Sequence, residues 1–270
     1  MKRRLSNDQK KLLTLLPELL KRYGDRRFLE GDPVSYVHQY REPGDQEMAA
    51  IISALLAFGN VKSVKASVGK VLAVMGMHPR AYVLGFDAER EEVKFRGVGH
   101  RWVRGDDLLL LTLWLQQVLK RHGSLKNCFL EDYRDSDPDV GPMLNRFSSK
   151  VLSYLPPLAQ GRAGSLGFRY FFPAPRGGSP CKRMNMFLRW MVRPRDGIDL
   201  GLWPEIPPSK LVIPLDVHVH RFARKYRLSP FKNPRWEVAT QVTEFLRLLS
   251  EEDPVKFDFP ICHHGMAVGW

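Results

Sequence analysis

With 270 residues, 44% apolar and 26% charged, the chain is long and apolar enough for one large domain or two smaller ones, which excludes a disordered protein. Lys plus Arg number 42 against 29 Asp plus Glu, a formal net charge of +13. That excess points toward a polyanion, because each cation that meets a phosphate releases a condensed counterion, and an anionic membrane is the weaker rival. Three dispersed cysteines (Cys128, Cys181, Cys262), without a C-x-x-C spacing, argue against a disulfide framework and provide no thiolate set for zinc or an iron–sulfur cluster.

From the N-terminus onward, helical periodicity dominates. Met1-Lys2-Arg3-Arg4 is basic, but a polar stretch follows it, so it does not read as a secretory signal. Leu12, Leu13, Leu16, Leu19 and Leu20 then fall on one face of a first helix. Met48 to Phe58 is apolar nearly all round and predicts a buried central helix, too short to cross a bilayer. Val61, Val64, Val68, Val71, Leu72 and Met75 keep helical spacing, and Asp106 to Arg121 and Pro138 to Tyr154 supply further helices. Proline and glycine gather in Leu155 to Gly178 and again in Pro194 to Pro214. These loops bracket a short helix from about Pro180 to Val192 and precede another from about Val217 to Tyr226. A last helix carries Val238, Val242, Phe245, Leu246 and Leu249 behind Asn233-Pro234, read as an N-cap followed by proline at the first helical position. Few stretches alternate in the two-residue rhythm of a strand, so the fold class is all-α. The protein is expected to be a cytoplasmic monomer that makes no membrane contact.

The segment Arg176-Gly177-Gly178-Ser179-Pro180-Cys181-Lys182-Arg183 holds the densest chemistry. Its two glycines permit a tight turn with positive φ, Ser179 suits an N-cap and Pro180 the first helical position. Amides at that helix start would face outward, where a phosphate can be held, with Lys182, Arg183 and Arg189 adding positive charge. A capped helix after a loop explains the turn equally well. Lys182 falls in the first turn, where the helix dipole disfavours a cation and Arg183 adds like charge. Both favour the neutral amine, the species that attacks a sugar carbon and forms a Schiff base. The alternative is an ordinary solvated lysine.

Asp216 stands just ahead of a helix marked by Val219, Phe222, Ala223 and Tyr226, and is its natural N-cap. The same placement fixes the direction of a carboxylate that could stabilise a cationic sugar or accept a proton from Lys182. His218 and His220 follow, but residues two apart on a helix point roughly 200° apart and cannot chelate one ion. Cys181 reads either as a thiol at a helix start or as plain packing.

Pro175 through Arg183, taken with Pro214-Leu215-Asp216-Val217-His218-Val219-His220-Arg221, resembles the helix-hairpin-helix DNA glycosylase superfamily, which includes endonuclease III and the 8-oxoguanine DNA glycosylases. The spacing of 34 residues between Lys182 and Asp216 is most similar to the archaeal 8-oxoguanine branch. Lys182-Arg183-Met184-Asn185-Met186-Phe187-Leu188-Arg189-Trp190-Met191-Val192, with Asp199-Leu200-Gly201-Leu202-Trp203, also resembles the family designated domain of unknown function 2400 over nearly the whole chain.

The resemblance implies two helical lobes with a helix-hairpin-helix motif and an interlobe cleft, one lobe of residues 41–195 and the other of residues 1–40 plus 196–270. It implies Lys182 as the nucleophile and Asp216 as the catalytic aspartate. Asn60, after Ala57-Phe58-Gly59, would fill the gap beside an extruded base, and Gly177, Gly178, Ser179 and Arg183 would contact DNA. Trp203 and Phe172 are the aromatics offered for sandwiching the base, with the core as their other possible place. Two departures stand out. Arg176-Gly177-Gly178-Ser179 replaces the usual leucine-proline-glycine-valine-glycine hairpin, and the iron–sulfur cysteines are absent. The implied activity is excision of an oxidised purine such as 8-oxoguanine from double-stranded DNA, with AP lyase activity and neither metal nor cofactor. The alternatives are a non-catalytic helix-hairpin-helix DNA-binding protein and a protein-interaction scaffold.

Overall fold

The structure, a computed structural model, describes residues 5–157, 159–160 and 166–269; the basic opening Met1 to Arg4 lies outside them. Among the described residues no strand forms, and the fold is all-α as expected. In chain order the described helices are α1 (Asn7–Tyr23), α2 (Pro43–Leu55), α3 (Val61–Met75), α4 (Pro79–Leu84), α5 (Ala88–Phe95), α6 (Gly105–His122), α7 (Leu125–Leu130), α8 (Gly141–Lys150), α9 (Leu166–Arg169), α10 (Lys182–Val192), α11 (Val217–Lys225), α12 (Trp236–Arg247) and α13 (Asp258–Val268), with shorter 3-10 turns between them. No described helix is long and apolar enough to cross a membrane.

The chain divides into two compact units. A central unit comprises residues 30–137 and 141–174, and a terminal unit comprises residues 1–29, 138–140 and 175–270.

In the central unit α2 is buried on every side, as its nearly all-round apolar run predicts. Its three polar side chains near the start are each engaged: Asp45 accepts from the Arg80 amide at 2.8 Å, Gln46 donates to the Tyr40 carbonyl at 2.9 Å, and Glu47 accepts from the Leu125 amide at 3.1 Å. Such pairing is what makes their burial tolerable. Behind α6 and α8 lies a cluster of rings. Phe147 stacks on Phe129 at 4.2 Å between centroids and meets Trp114 and Phe172 edge-on at 5.9 and 5.8 Å. The Trp114 indole N–H donates to the Val151 carbonyl at 3.0 Å, so its polar atom is satisfied.

In the terminal unit α1 begins with a capping box: the Ser6 hydroxyl accepts from the Gln9 amide, and the Gln9 side chain accepts from the Ser6 amide. Of the leucines assigned to one face of α1, Leu12, Leu16 and Leu19 are buried, whereas Leu13 is exposed. Helix α13 packs against both α1 and α11. Gly265 allows the second of these contacts, because a Cβ there would come within 2.9 Å of His218 Nδ1. The expected cap at Asn233-Pro234 is displaced: α12 starts at Trp236 with Arg235 in the cap position.

The lobes expected from sequence, 41–195 and 1–40 plus 196–270, cut the chain at other points. Segment 175–195 belongs with the C-terminal residues, because α10 is anchored there by ion pairs. Arg189 pairs with Asp199 at 3.2 Å and with Asp258, while Arg193 pairs with Asp199, with Asp196 at 2.9 Å and with Asp253 at 2.9 Å. Leaving either arginine without these partners would strand a buried charge, which fixes the helix to the segment that supplies the aspartates.

Candidate functional site

The turn ahead of α10 is built differently from its expected form. Pro175–Gly177 makes one 3-10 turn closed by a 2.8 Å bond from the Gly178 amide to the Pro175 carbonyl. Gly178 takes φ +79°, the left-handed region that glycine enters without a Cβ clash, while Gly177 does not need it. Ser179 is not the N-cap. Its hydroxyl accepts from the Cys181 amide at 3.2 Å, and Cys181 itself, at φ +47°, stands in the cap position without a side-chain cap bond. The side-chain amide of Asn185 reaches back to the Pro180 carbonyl at 3.2 Å and holds the turn against the helix. The helix therefore begins two residues later than Pro180, and Lys182 is its first residue.

Lys182 is half-buried. Residues seven and eleven positions further on lie within roughly 20° of it around an ideal helix. Those residues are Arg189 and Arg193, so Lys182 opens the stripe of α10 that ends in the buried arginines. The resemblance implies Arg183 as a DNA contact. It is buried, so a phosphate outside the protein cannot reach it as it would a surface arginine. Cys181 is buried too, and burial pushes its thiol up to about 12, which makes it packing rather than a reactive thiolate.

Asp216 caps α11 as expected, with Oδ1 accepting from the Val219 amide at 2.7 Å, and it too is half-buried. Its other oxygen has a partner absent from the sequence reading. The Cys262 thiol, on α13, lies 3.4 Å from Asp216 Oδ2 and 3.7 Å from Oδ1 of Asp258. Asp258 in turn accepts from the Arg189 guanidinium. Burial lifts the Asp258 carboxyl to about 6, with the Arg189 charge opposing and the Asp216 charge adding to the rise. A continuous chain of polar contacts thus runs from Arg189 on α10, through Asp258 and Cys262, to Asp216.

The two base-sandwiching candidates are core residues. Trp203 is fully buried and meets Phe187 edge-on at 5.2 Å, and Phe172 sits among the rings of the central unit, 4.6 Å from Trp114. Each is large and apolar, and nearby apolar side chains claim it before a ligand can. His218 packs on Gly265 with Nδ1 buried and unpartnered. Among the described residues no group of three His, Cys, Asp or Glu side chains could hold a metal ion.

Asn60 belongs to the central unit, exposed at the N-cap of α3, where its side chain accepts from the Lys62 amide at 2.9 Å. Next to it in the fold is an exposed aromatic platform. Trp102, 45% exposed, stacks on Phe58 at 4.5 Å and 22°, the Arg101 guanidinium lies 5.4 Å from the Trp102 ring centre, and Tyr170, 51% exposed, meets Trp102 edge-on at 5.2 Å. His100 pins this loop, its ring nitrogens engaging the Phe58 carbonyl at 2.7 Å and the Ser67 hydroxyl at 3.1 Å. Arg101 adopts φ +54°, a conformation disfavoured for a residue with a Cβ. The signal in the sequence was the run Arg101-Trp102-Val103-Arg104, which interleaves arginine with an aromatic.

No curated protein and no solved structure matches the chain. The family model described as "Protein of unknown function (DUF2400)" matches residues 32–267, a span that takes in Asn60, Lys182, Asp216 and Cys262, and the chain belongs to that family.

Proposed function

We propose that the protein is a base-excision DNA glycosylase with AP lyase activity, acting on an oxidised purine such as 8-oxoguanine, with Lys182 as nucleophile and Asp216 as its partner. The observation that carries this reading is that Lys182 opens α10 and Asp216 caps α11 in one compact unit, with Arg189 of α10 tied to Asp216 through Asp258 and Cys262. Both groups are half-buried at the starts of their helices, so neither is sealed away.

In the proposed reaction the Lys182 amine attacks the anomeric sugar carbon, the bond to the damaged base breaks, and the base leaves with the electron pair and takes up a proton. Asp216 stabilises the positive charge that develops on the sugar. Ring opening gives a Schiff base between Lys182 and the sugar, and loss of the neighbouring C2′ proton then expels the 3′ phosphate and nicks the strand. The helix-hairpin-helix role falls to the 175–181 turn, with the cap position of α10 lacking a side-chain cap and so favouring a phosphate. The net charge of +13 supports a duplex partner, and the Trp102–Phe58 platform beside Asn60 supports one whose base stack is disturbed.

Borohydride trapping on a duplex with one abasic site tests the proposal. A covalent adduct is expected from the wild-type chain and none from Lys182→Gln. Salt-sensitive duplex binding without any adduct would instead make the protein a non-catalytic DNA binder, and the glycosylase reading would be lost.

A further inference from the structure

An Asp216 carboxylate held by one hydrogen bond would still swing. The Val219 amide fixes Oδ1, but the terminal torsion of an aspartate is broad and leaves the carboxyl plane loosely set. A second contact on Oδ2 removes that freedom, and Cys262 makes it. Asp258 and Cys262 are four residues apart on α13, so they share one face of that helix. The thiol has a single proton and two carboxylates within reach, Asp216 Oδ2 at 3.4 Å and Asp258 Oδ1 at 3.7 Å. Asp258 also has the Arg189 guanidinium, whereas Asp216 has no charged partner in this set of contacts.

Resting on the reading of Asp216 as the working carboxylate, we propose that Cys262 is a positioning residue whose S–H donates to Asp216 Oδ2 and aims the carboxylate at the reacting sugar. Burial, and then the Asp216 and Asp258 charges, push the thiol well above its ordinary range, so it keeps its proton at neutral pH and acts as a donor. The same environment makes it a poor nucleophile. Through Asp258 and Arg189 the donor is itself anchored to α10, the helix that begins with Lys182.

Two measurements test this, the first of them independent of activity. The S–H stretching band of Cys262, isolated as the difference between the wild-type infrared spectrum and that of Cys262→Ala, should lie at the low frequency of a hydrogen-bonded thiol. It should move toward the free-thiol frequency in Asp216→Asn, whose weaker acceptor replaces the carboxylate. A band that Asp216→Asn leaves in place overturns the proposal whether or not the protein is an enzyme. In single-turnover nicking of an abasic duplex, Cys262→Ala should lose about ten- to a hundredfold in rate with an unchanged duplex Kd, and Cys262→Ser, which keeps a donor, should recover most of it. Equal rates for wild type and Cys262→Ala, with Asp216→Asn inactive, would leave the glycosylase reading standing and remove the positioning role. A wild-type chain that neither nicks nor traps would remove the glycosylase reading, and the infrared band would still decide whether Cys262 holds Asp216.

Discussion

In the central unit Phe147 lies among Phe129, Trp114 and Phe172, whereas in the terminal unit Arg189 lies at similar depth between Asp199 and Asp258. The rings attract without strong direction and lose water on burial, so they contribute stability through area. The ions gain little net stability for their burial, since desolvation consumes most of the attraction. What they add is direction: each guanidinium fork donates to its carboxylates in one geometry. The difference teaches where to look for chemistry. The unit whose interior holds paired arginines and aspartates is the one that holds Lys182 and Asp216.

Removing one buried group from each unit puts this contrast to the test. Phe147→Ala and Arg189→Met should each cost about 3–5 kcal/mol in urea unfolding, the first by leaving a cavity and the second by stranding Asp258, since Asp199 keeps Arg193. Only the second should be rescued by a further apolar change. In Arg189→Met with Asp258→Met the uncompensated carboxylate is gone, and most of the lost stability should return. If the double variant is no more stable than Arg189→Met alone, the ion network is a source of stability, and the contrast with the ring cluster fails.

A smaller effect would sharpen it. Asp258 is lifted to about 6 from an ordinary value of 3.8, with burial as the main cause. A carboxyl whose pKa is higher in the folded state binds its proton more tightly there. Its contribution is therefore complete below about pH 4 and is lost as the pH rises through 6. Wild-type stability measured against Asp258→Asn should fall by up to about 3 kcal/mol between those limits, since other groups cancel in the comparison. A difference that stays flat would mean that Arg189 outweighs burial and keeps Asp258 ionised throughout.

The helices that carry an apolar stripe were legible in the sequence. α3, α6 and α12 announce themselves by periodicity, α2 by an apolar run nearly all round, and Asp216 by its place before a periodic stripe. Helix α13 was not legible: Pro260 and Gly265 interrupt it, and its apolar residues do not keep to one face. It nevertheless supplies Asp258 and Cys262, which reach Asp216 across more than forty residues of sequence, a distance no local pattern encodes. Ser179 was misplaced as a cap because a serine before proline fits the rule, while the actual cap depends on Cys181 taking a left-handed conformation that propensity argues against. Trp203 and Phe172 could be counted as aromatics from sequence, but only packing decides whether a ring faces outward.

The smallest expected effect separates two roles of one side chain. Asn60 caps α3 through its carbonyl oxygen, which accepts from the Lys62 amide, and in the proposed reading its side chain also contacts DNA. Asn60→Ala should cost about 1 kcal/mol of stability through the lost cap. Asn60→Asp keeps a cap of equal quality and should fold as well as wild type, but it loses the amide donors and brings negative charge toward the bases. Folding and function then part company: the aspartate variant should match wild type in urea unfolding and fall well below it in affinity for an abasic duplex. An aspartate variant that binds as tightly as wild type would leave Asn60 as a helix cap and nothing more.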